Sequence, residues 1–285
     1  MVKKMKRSSE YNTKGILYVI SSPIGNLEDI TFRALNTIKE VDYLFSEDTR
    51  VTKKLLTHYS IEKKLDSFHD YSDSIKEDFI ISLLLNGNSV GIISDAGTPL
   101  ISDPGYELVV KAKENNIKIV PIPGASASIS ALVMSALPVK PYLFYGFLDH
   151  KESKKKKELE ELKNYPFTII FYESPIRVYE TLKDMHSIFG ERKCSINREI
   201  TKLYEESIDF NLSEYASLPT DLKGEMVIVV SGKDTIVDTN IPLDLNKEMK
   251  ELVNNGYSIK EASKILSSKY NIKSSEIYND YVKVK

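Results

Sequence analysis

The chain has 285 residues, is 41% hydrophobic and 28% charged, and carries a formal net charge of -2. This is the composition of an ordinary globular protein, with a length prior of roughly two domains; collagen-like, wholly disordered and disulfide-stapled classes are excluded. A single cysteine, Cys194, can form neither an internal disulfide nor a cysteine-based zinc site, which suits a reducing cytoplasm. With a net charge of -2, any footprint for nucleic acid must be local.

In chain order, residues 1–14 read as a flexible, basic tail with no apolar stretch that could serve as a signal peptide. Ile16–Ile20 reads as a strand. Asn26, with Asp29 three residues on, reads as the cap of a helix through Leu35 and Ile38. Val41–Phe45 reads as a strand, Ser74–Leu85 as a helix stopped near Gly87, and Val90–Ser94 as a buried strand. Asp103-Pro104 has the form of an N-cap followed by proline at the first helical position, opening a helix to Asn115. Ile117–Val120 and Ala125–Ala136 follow as strand and helix. Alternation of apolar strands with helices means a parallel α/β sheet. Composition changes near Pro138–Pro141, and Lys154–Lys157 lead into a charged helix ending at Lys163. Beyond it lie strand Phe167–Tyr172, helix Pro175–Met185, and strands around Ser195–Glu199 and Met226–Ser231. The domain expectation is 15–140 and 141–235, both α/β, then a small helical module at 242–285. In that module Asn246–Asn254 ends at Gly256, Ser258 and Glu261 form a capping box, and Ser275–Val282 closes the chain, which suits a helix-turn-helix type.

The familiar motifs are missing. There is no G-x-G-x-x-G after the first strand, no P-loop, no H-E-x-x-H and no G-x-S-x-G. No residue is assigned to a metal, because the four histidines lack ligand spacing. Glycine and proline cluster instead where strands end, in Ser21–Asn26, Ser94–Pro99 and Pro121–Ser126. Carboxyl ends of parallel strands are where α/β sheets bind ligands. The plain alternative for each loop is a tight turn.

Ser94-Asp-Ala-Gly-Thr-Pro-Leu-Ile-Ser-Asp-Pro-Gly105 resembles the signature of the ribosomal RNA small-subunit methyltransferase I family, cytidine 2′-O-ribose methyltransferases of the tetrapyrrole methylase superfamily. In the same order as in that family come Ser22–Asp29, Glu47–Arg50, Phe68–Asp70, Pro123-Gly124, Gly146–Leu148, Phe171–Ser174, Arg198–Lys202 and Gly224–Met226. The resemblance implies two α/β domains with S-adenosylmethionine (SAM) in the cleft between them, a small C-terminal helical module, a homodimer, and a decoding-centre cytidine of 16S rRNA in the small ribosomal subunit as substrate. Asp149 departs from it, since the family often has proline there.

Matching loops place SAM against Pro23, Gly25, Gly97, Thr98, Ile101, Ser126 and Ala127, with Tyr172 and Met226 from the second domain; the plain alternative for the last two is core packing. Methyl transfer from a sulfonium needs positioning and a proton acceptor rather than a metal. Glu47, Asp48 and Glu199 are the catalytic candidates, with Asp95 also considered. Their alternatives are an ion pair or cap involving Arg50 for the first two, and a pair with Arg198 for Glu199. The RNA candidates are Arg50, His69, Lys154, Lys155, Arg177, Arg198 and Lys202, within the wider run Lys154–Lys157. Two other readings fit parts of the pattern: a precorrin or uroporphyrinogen methylase, and a SAM- or RNA-binding protein without catalysis.

Overall fold

The computed structural model describes residues 14–68, 74–233, 245–270 and 272–283. Two compact units divide the chain at Lys233/Asp234. The expected flexible tail lies outside the described residues except Lys14, whose ammonium donates to the Asn115 carbonyl at 2.7 Å.

The first unit contains two five-stranded sheets. Strands β1 (Ile16–Ile20), β2 (Tyr43–Ser46), β3 (Leu65–Ser67), β4 (Val90–Ile93) and β5 (Lys118–Ile122) form the first, in the order β3-β2-β4-β1-β5. Every pairing in it is parallel; Leu17 lies opposite Val90 on one side and Ile119 on the other. Helices α1 (Phe32–Glu40), α2 (Thr49–His58), α3 (Ser74–Leu85), α4 (Tyr106–Glu114) and α5 (Ala127–Met134) connect or follow these strands. Alternation along β1 sends Leu17 and Val19 to a core with Ile80, Leu84 and Leu108 of α3 and α4, and Ile20 to a core with Ile38 and Leu55 of α1 and α2. With both faces covered, β4 has no exposed residue, which is why its sequence is apolar throughout.

The second sheet is mixed. Strands β6 (Tyr142–Phe147), β7 (Thr168–Glu173), β8 (Lys193–Arg198), β9 (Glu206–Asn211) and β10 (Met226–Val230) lie in the order β6-β7-β10-β8-β9. Only β6 and β7 pair in parallel; the other three pairings are antiparallel. Helices α6 (Glu152–Leu162) and α7 (Val178–Phe189) supply Leu159, Leu182 and Met185 to one face. On the other face Ala131 and Leu132 of α5 pack with Ile170, Val227 and Val229, together with Ile24 of the loop after β1. Helix α5 thus follows the last strand of the first sheet in the chain but packs on the second sheet.

Several starts differ from the sequence reading. Asn26 caps only a short 3-10 turn, Leu27–Asp29, and α1 is capped by Thr31, whose hydroxyl accepts the Ala34 N–H at 3.0 Å. Gly105, at φ 118°, precedes α4, so Asp103 is not its cap. Helix α7 begins at Val178 after a turn over residues 175–177. Strands β3 and β9 and helix α2 were not expected from the sequence, although Thr52, Leu55 and Leu56 lie at helical spacing on the buried face of α2.

The second unit contains α8 (Leu245–Asn254), α9 (Ile259–Tyr270) and α10 (Ser274–Lys283), around Met249, Ala262, Leu266, Ile277 and Tyr281. The Ser258–Glu261 capping box is formed: Glu261 accepts the Ser258 N–H at 3.0 Å, and the Ser258 hydroxyl accepts the Glu261 N–H at 3.2 Å. Of the apolar residues of α9, Ala262 and Leu266 are buried and Ile265 is 40% exposed.

Candidate active site

A cavity of about 580 Å³ opens where the carboxyl ends of β1, β4 and β5 meet the second sheet. Ile24 and the turn 96–103 reach it from the first sheet, and Ser126 and Ala127 from the start of α5. The second sheet adds Phe147, residues 172–175, the turn after β8, and residues 224–227. Its size falls within the roughly 300–1,000 Å³ of small-ligand sites.

Two strained turns shape it. In the Ser94–Gly105 loop Gly97 (φ 82°), Leu100 (φ 76°) and Ser102 (φ 67°) lie in the left-handed region, and after β8 so do Glu199 (φ 50°) and Thr201 (φ 68°). Non-glycine residues adopt that region at a cost, and such strain concentrates at ligand sites. The first loop is fastened by Ser22 N–H to the Gly97 carbonyl at 2.8 Å and by a Ser21–Thr98 hydroxyl contact at 2.9 Å. The second is fastened across the two sheets, where Asn26 N–H donates to Thr201 Oγ1 at 3.0 Å.

Of the cofactor candidates, Gly97, Thr98, Ile101, Ser126, Ala127, Tyr172 and Met226 line this cavity. Pro23 and Gly25 do not; they line a neighbouring cavity of about 330 Å³. Gly25 is needed for a backbone approach: a Cβ there would stand 2.6 Å from Lys202 Cγ and 3.1 Å from the Ile200 carbonyl oxygen. Tyr172 packs edge-on to Phe144 and Phe147, at 4.9 and 5.5 Å between ring centroids. Burial raises its phenol above the usual range, against a hydrogen bond with Ser128.

The carboxylate candidates separate. Glu199 lines the cavity. Burial would raise its carboxyl, but Lys202 Nζ at 3.0 Å and the Glu225 N–H at 3.1 Å prevail and lower it. A Cβ at residue 224 would meet Glu199 Oε1 at 2.2 Å, so Gly224 leaves the room this carboxylate occupies. Glu47 and Asp48, by contrast, are not in the cavity wall. Asp48 caps α2 through the Arg50 N–H at 2.8 Å and pairs with the Arg50 guanidinium at 2.5 Å, which holds its carboxyl at about 2. Glu47 accepts the Asp95 N–H at 3.5 Å, below the neighbouring loop. Asp95 lines the smaller cavity; burial raises its carboxyl although its Oδ1 accepts the Asp48 N–H at 2.9 Å. Asp103, read from the sequence as a helix cap, and Glu173, which the sequence did not single out, are both in the wall. The motifs containing them were visible; which side chain of each motif faces inward was not. Glu173 is 3% exposed and accepts the Thr181 hydroxyl at 2.6 Å and the Ser174 N–H at 2.8 Å.

The basic candidates are dispersed. Lys155 is 2% exposed and pairs with Asp184 at 2.8 Å and Glu180 at 3.1 Å, so it holds α6 on α7 and offers nothing to a phosphate. Lys154 pairs with Asp149 at 3.3 Å, Lys156 with Glu152, and Lys157 with Glu161 at 4.0 Å. Arg177 donates to the carbonyls of Leu148 and Asp149, at 3.2 and 2.9 Å, which clasps the segment after β6. Asp149 donates its own N–H to Glu158 at 2.9 Å, a bond the proline common in the family could not make. Arg198 pairs with Glu206 at 2.6 Å rather than with Glu199, whose partner is Lys202. Lys202 lines both cavities, and Arg50 is 87% exposed. His69 lies outside the described residues. Among the described residues no group of acidic, histidine or cysteine side chains could hold a metal ion, and no helix is long and apolar enough to cross a membrane.

The family model for tetrapyrrole (corrin/porphyrin) methylases matches residues 16–216. The ribosomal RNA small subunit methyltransferase I of Halalkalibacterium halodurans is 41% identical over 286 residues, covering 97% of this chain and 99% of its own. That of Bacillus subtilis is 41% identical over 287 residues, covering 97% and 98%. Among solved structures, uroporphyrin-III C-methyltransferase of Thermus thermophilus aligns with a TM-score of 0.56 at 17% identity, over 77% of this chain and 95% of its own. A cobalt precorrin-4 methyltransferase aligns with a TM-score of 0.57 at 14% identity, over 76% and 94%. At those identities the likeness to the solved structures is one of fold.

Proposed function

Because the chain belongs to the tetrapyrrole methylases, and among them to the ribosomal RNA small subunit methyltransferase I family, we propose that it transfers a methyl group from SAM to the ribose 2′-oxygen of a decoding-centre cytidine in 16S rRNA. The observation that carries this reading is the large cavity between the two sheets. Its wall combines apolar side chains, Ile24, Ile101, Phe147 and Met226, with the carboxylates Asp103, Glu173 and Glu199. An apolar wall with a few convergent polar groups suits a nucleoside, and carboxylates suit a sulfonium.

When bound, SAM supplies a methyl on cationic sulfur; the ribose oxygen gains the new C–O bond, the C–S electron pair stays with sulfur, and the hydroxyl proton is released. The chain's part is to position and to take up that proton. Thr98, Ser126 and Tyr172 hold the cofactor, and Glu199 accepts the proton from the acceptor hydroxyl, with Lys202 keeping its carboxylate in place. Arg50 and Lys202 meet RNA phosphates. The protein works in the cytoplasm as a homodimer without a metal.

Radiolabelled SAM is offered with small ribosomal subunits and, separately, with a uroporphyrinogen, and the RNA product is mapped by ribose-methylation sequencing. A single methylated cytidine ribose is expected. Methyl on a base overturns the 2′-O assignment. Turnover on the porphyrinogen alone gives the chain to the other branch of the superfamily.

A further inference from the structure

The smaller cavity, about 330 Å³, adjoins the larger one: Ile24, Ala96, Lys202 and Glu225 line both. In-line transfer places the acceptor oxygen on the side of the methyl away from sulfur. The acceptor therefore cannot share the cofactor's space and has to arrive through an adjoining one. The smaller cavity lies over the carboxyl ends of β1, β2 and β4, and Pro23, Val51 and Leu55 give it an apolar lining. Polar residues stand among them: Asp95, Ser22 and Thr52, besides Ser94, Lys54, Lys202 and Glu225. Asp95 contributes a carboxylate, while Ser22 (4% exposed) and Thr52 (2% exposed) contribute hydroxyls. Ser22 Oγ and Thr52 Oγ1 are buried with no hydrogen-bond partner among the described residues. A buried polar atom without a partner costs free energy that a ligand can return.

We propose that this second cavity is the acceptor-nucleoside pocket, taking one unstacked cytidine of the RNA, with Asp95, Ser22 and Thr52 reading the Watson–Crick edge of its base. The inference rests on the RNA reading above. A cytosine presents an amine donor beside two acceptors. A carboxylate accepts from that amine; the two hydroxyls donate to the ring nitrogen and the carbonyl. A uracil would turn its carbonyl oxygen toward Asp95, so the same carboxylate rejects it. Sequence-specific recognition of RNA takes bases splayed out of their stack and hydrogen-bonds their Watson–Crick edge. Lys54 and Lys202 line the same cavity, where the flanking phosphates pass.

The test uses the full chain and small subunits reconstituted with either C or U at the mapped nucleotide. The variants are Asp95→Asn, which keeps the acceptor for the Asp48 N–H, and Thr52→Val, which keeps the shape and removes the hydroxyl. Asp95→Asn is expected to lower kcat/KM on the C subunit by about tenfold to about a hundredfold, and to narrow the C-over-U preference by a similar factor. Thr52→Val is expected to raise KM for the subunit severalfold, with SAM affinity by calorimetry unchanged for both variants. Should Asp95→Asn fold poorly, Thr52→Val decides. Full activity and intact C-over-U preference in the variants overturn the assignment. So does a parallel loss of SAM affinity, which would make this space part of the cofactor site. If the wild-type protein methylates neither subunit, the RNA reading falls first, and this inference with it.

Discussion

Glu199 is held by two donors, the Lys202 ammonium and the Glu225 amide, in a backbone conformation that costs energy. Its lowered pKa keeps it ionised throughout neutral pH. We expect kcat to show no ionisation of this group between about pH 6 and about pH 9, and Glu199→Gln to lower kcat by about 10²-fold, read from single-turnover methylation. A new limb in the wild-type profile near neutral pH would point to another acceptor. Gly97 lies at φ 82°, and its Cβ position is 3.4 Å from Ile24 Cγ2. Gly97→Val should abolish SAM binding by calorimetry, and should lower Tm as well, because a branched residue is strained in the left-handed region. Lys155 shows how a residue type misleads. In sequence it is one of four lysines; in space it neutralises the buried Asp184. Lys155→Met should cost roughly 3 kcal/mol in denaturant unfolding, by leaving a buried carboxylate short of its cation, whereas Lys157→Ser should leave stability within about 0.5 kcal/mol.

Helix α1 begins where Thr31 can accept the Ala34 N–H, five residues after the more obvious Asn26. Thr31→Ala is expected to cost about 1 kcal/mol in chemical denaturation, and Asn26→Ala less, since it ends only a short turn. Asp48 caps α2 and pairs with Arg50, and its carboxyl sits at about 2 against 3.8. The stabilisation from this carboxylate is therefore complete above about pH 4 and disappears as pH falls through about 2. The Tm gap between the wild type and Asp48→Asn should shrink over that descent; a constant gap would exclude the ionised form as its source. Helix α5 follows β5 in the chain yet packs on the second sheet. Ala131 and Leu132 are buried there against Ile170, Val227 and Val229, while Ile129 and Val133 on its other side stay exposed.

The chain as a whole consists of two units divided at Lys233/Asp234, and the cavity wall lies entirely in the first. A protein ending at Lys233 should bind SAM with unchanged affinity. Loss of the second unit, with Lys250, Lys260 and Lys264, should weaken binding to small subunits and flatten its salt dependence by about 0.7–0.9 in the log–log slope for each phosphate no longer neutralised. Unchanged subunit binding and methylation would leave that unit without a part in RNA recognition. A net charge of -2 makes this test sharp, because no diffuse positive field would mask the effect.

By itself the sequence determined the parallel first sheet, the passage to the second sheet near Pro138–Pro141, the capping box at Ser258–Glu261, and the three loops that end β1, β4 and β5. These follow from local chemistry: apolar strands, caps, and glycines where the backbone turns. The ordered motifs also carried the family. Tertiary structure alone decided which residues of each motif act. Arg198 turns to Glu206 because β8 lies beside β9 in the mixed sheet, with these two residues opposite one another, and Lys202 reaches Glu199 because the chain turns back on itself after β8. Pro23 and Gly25 left the larger cavity for the smaller because their loop packs on the turn after β8, some 175 residues on in the chain. Neighbours so distant in sequence are set by how sheets stack, and only the folded chain brings them into contact.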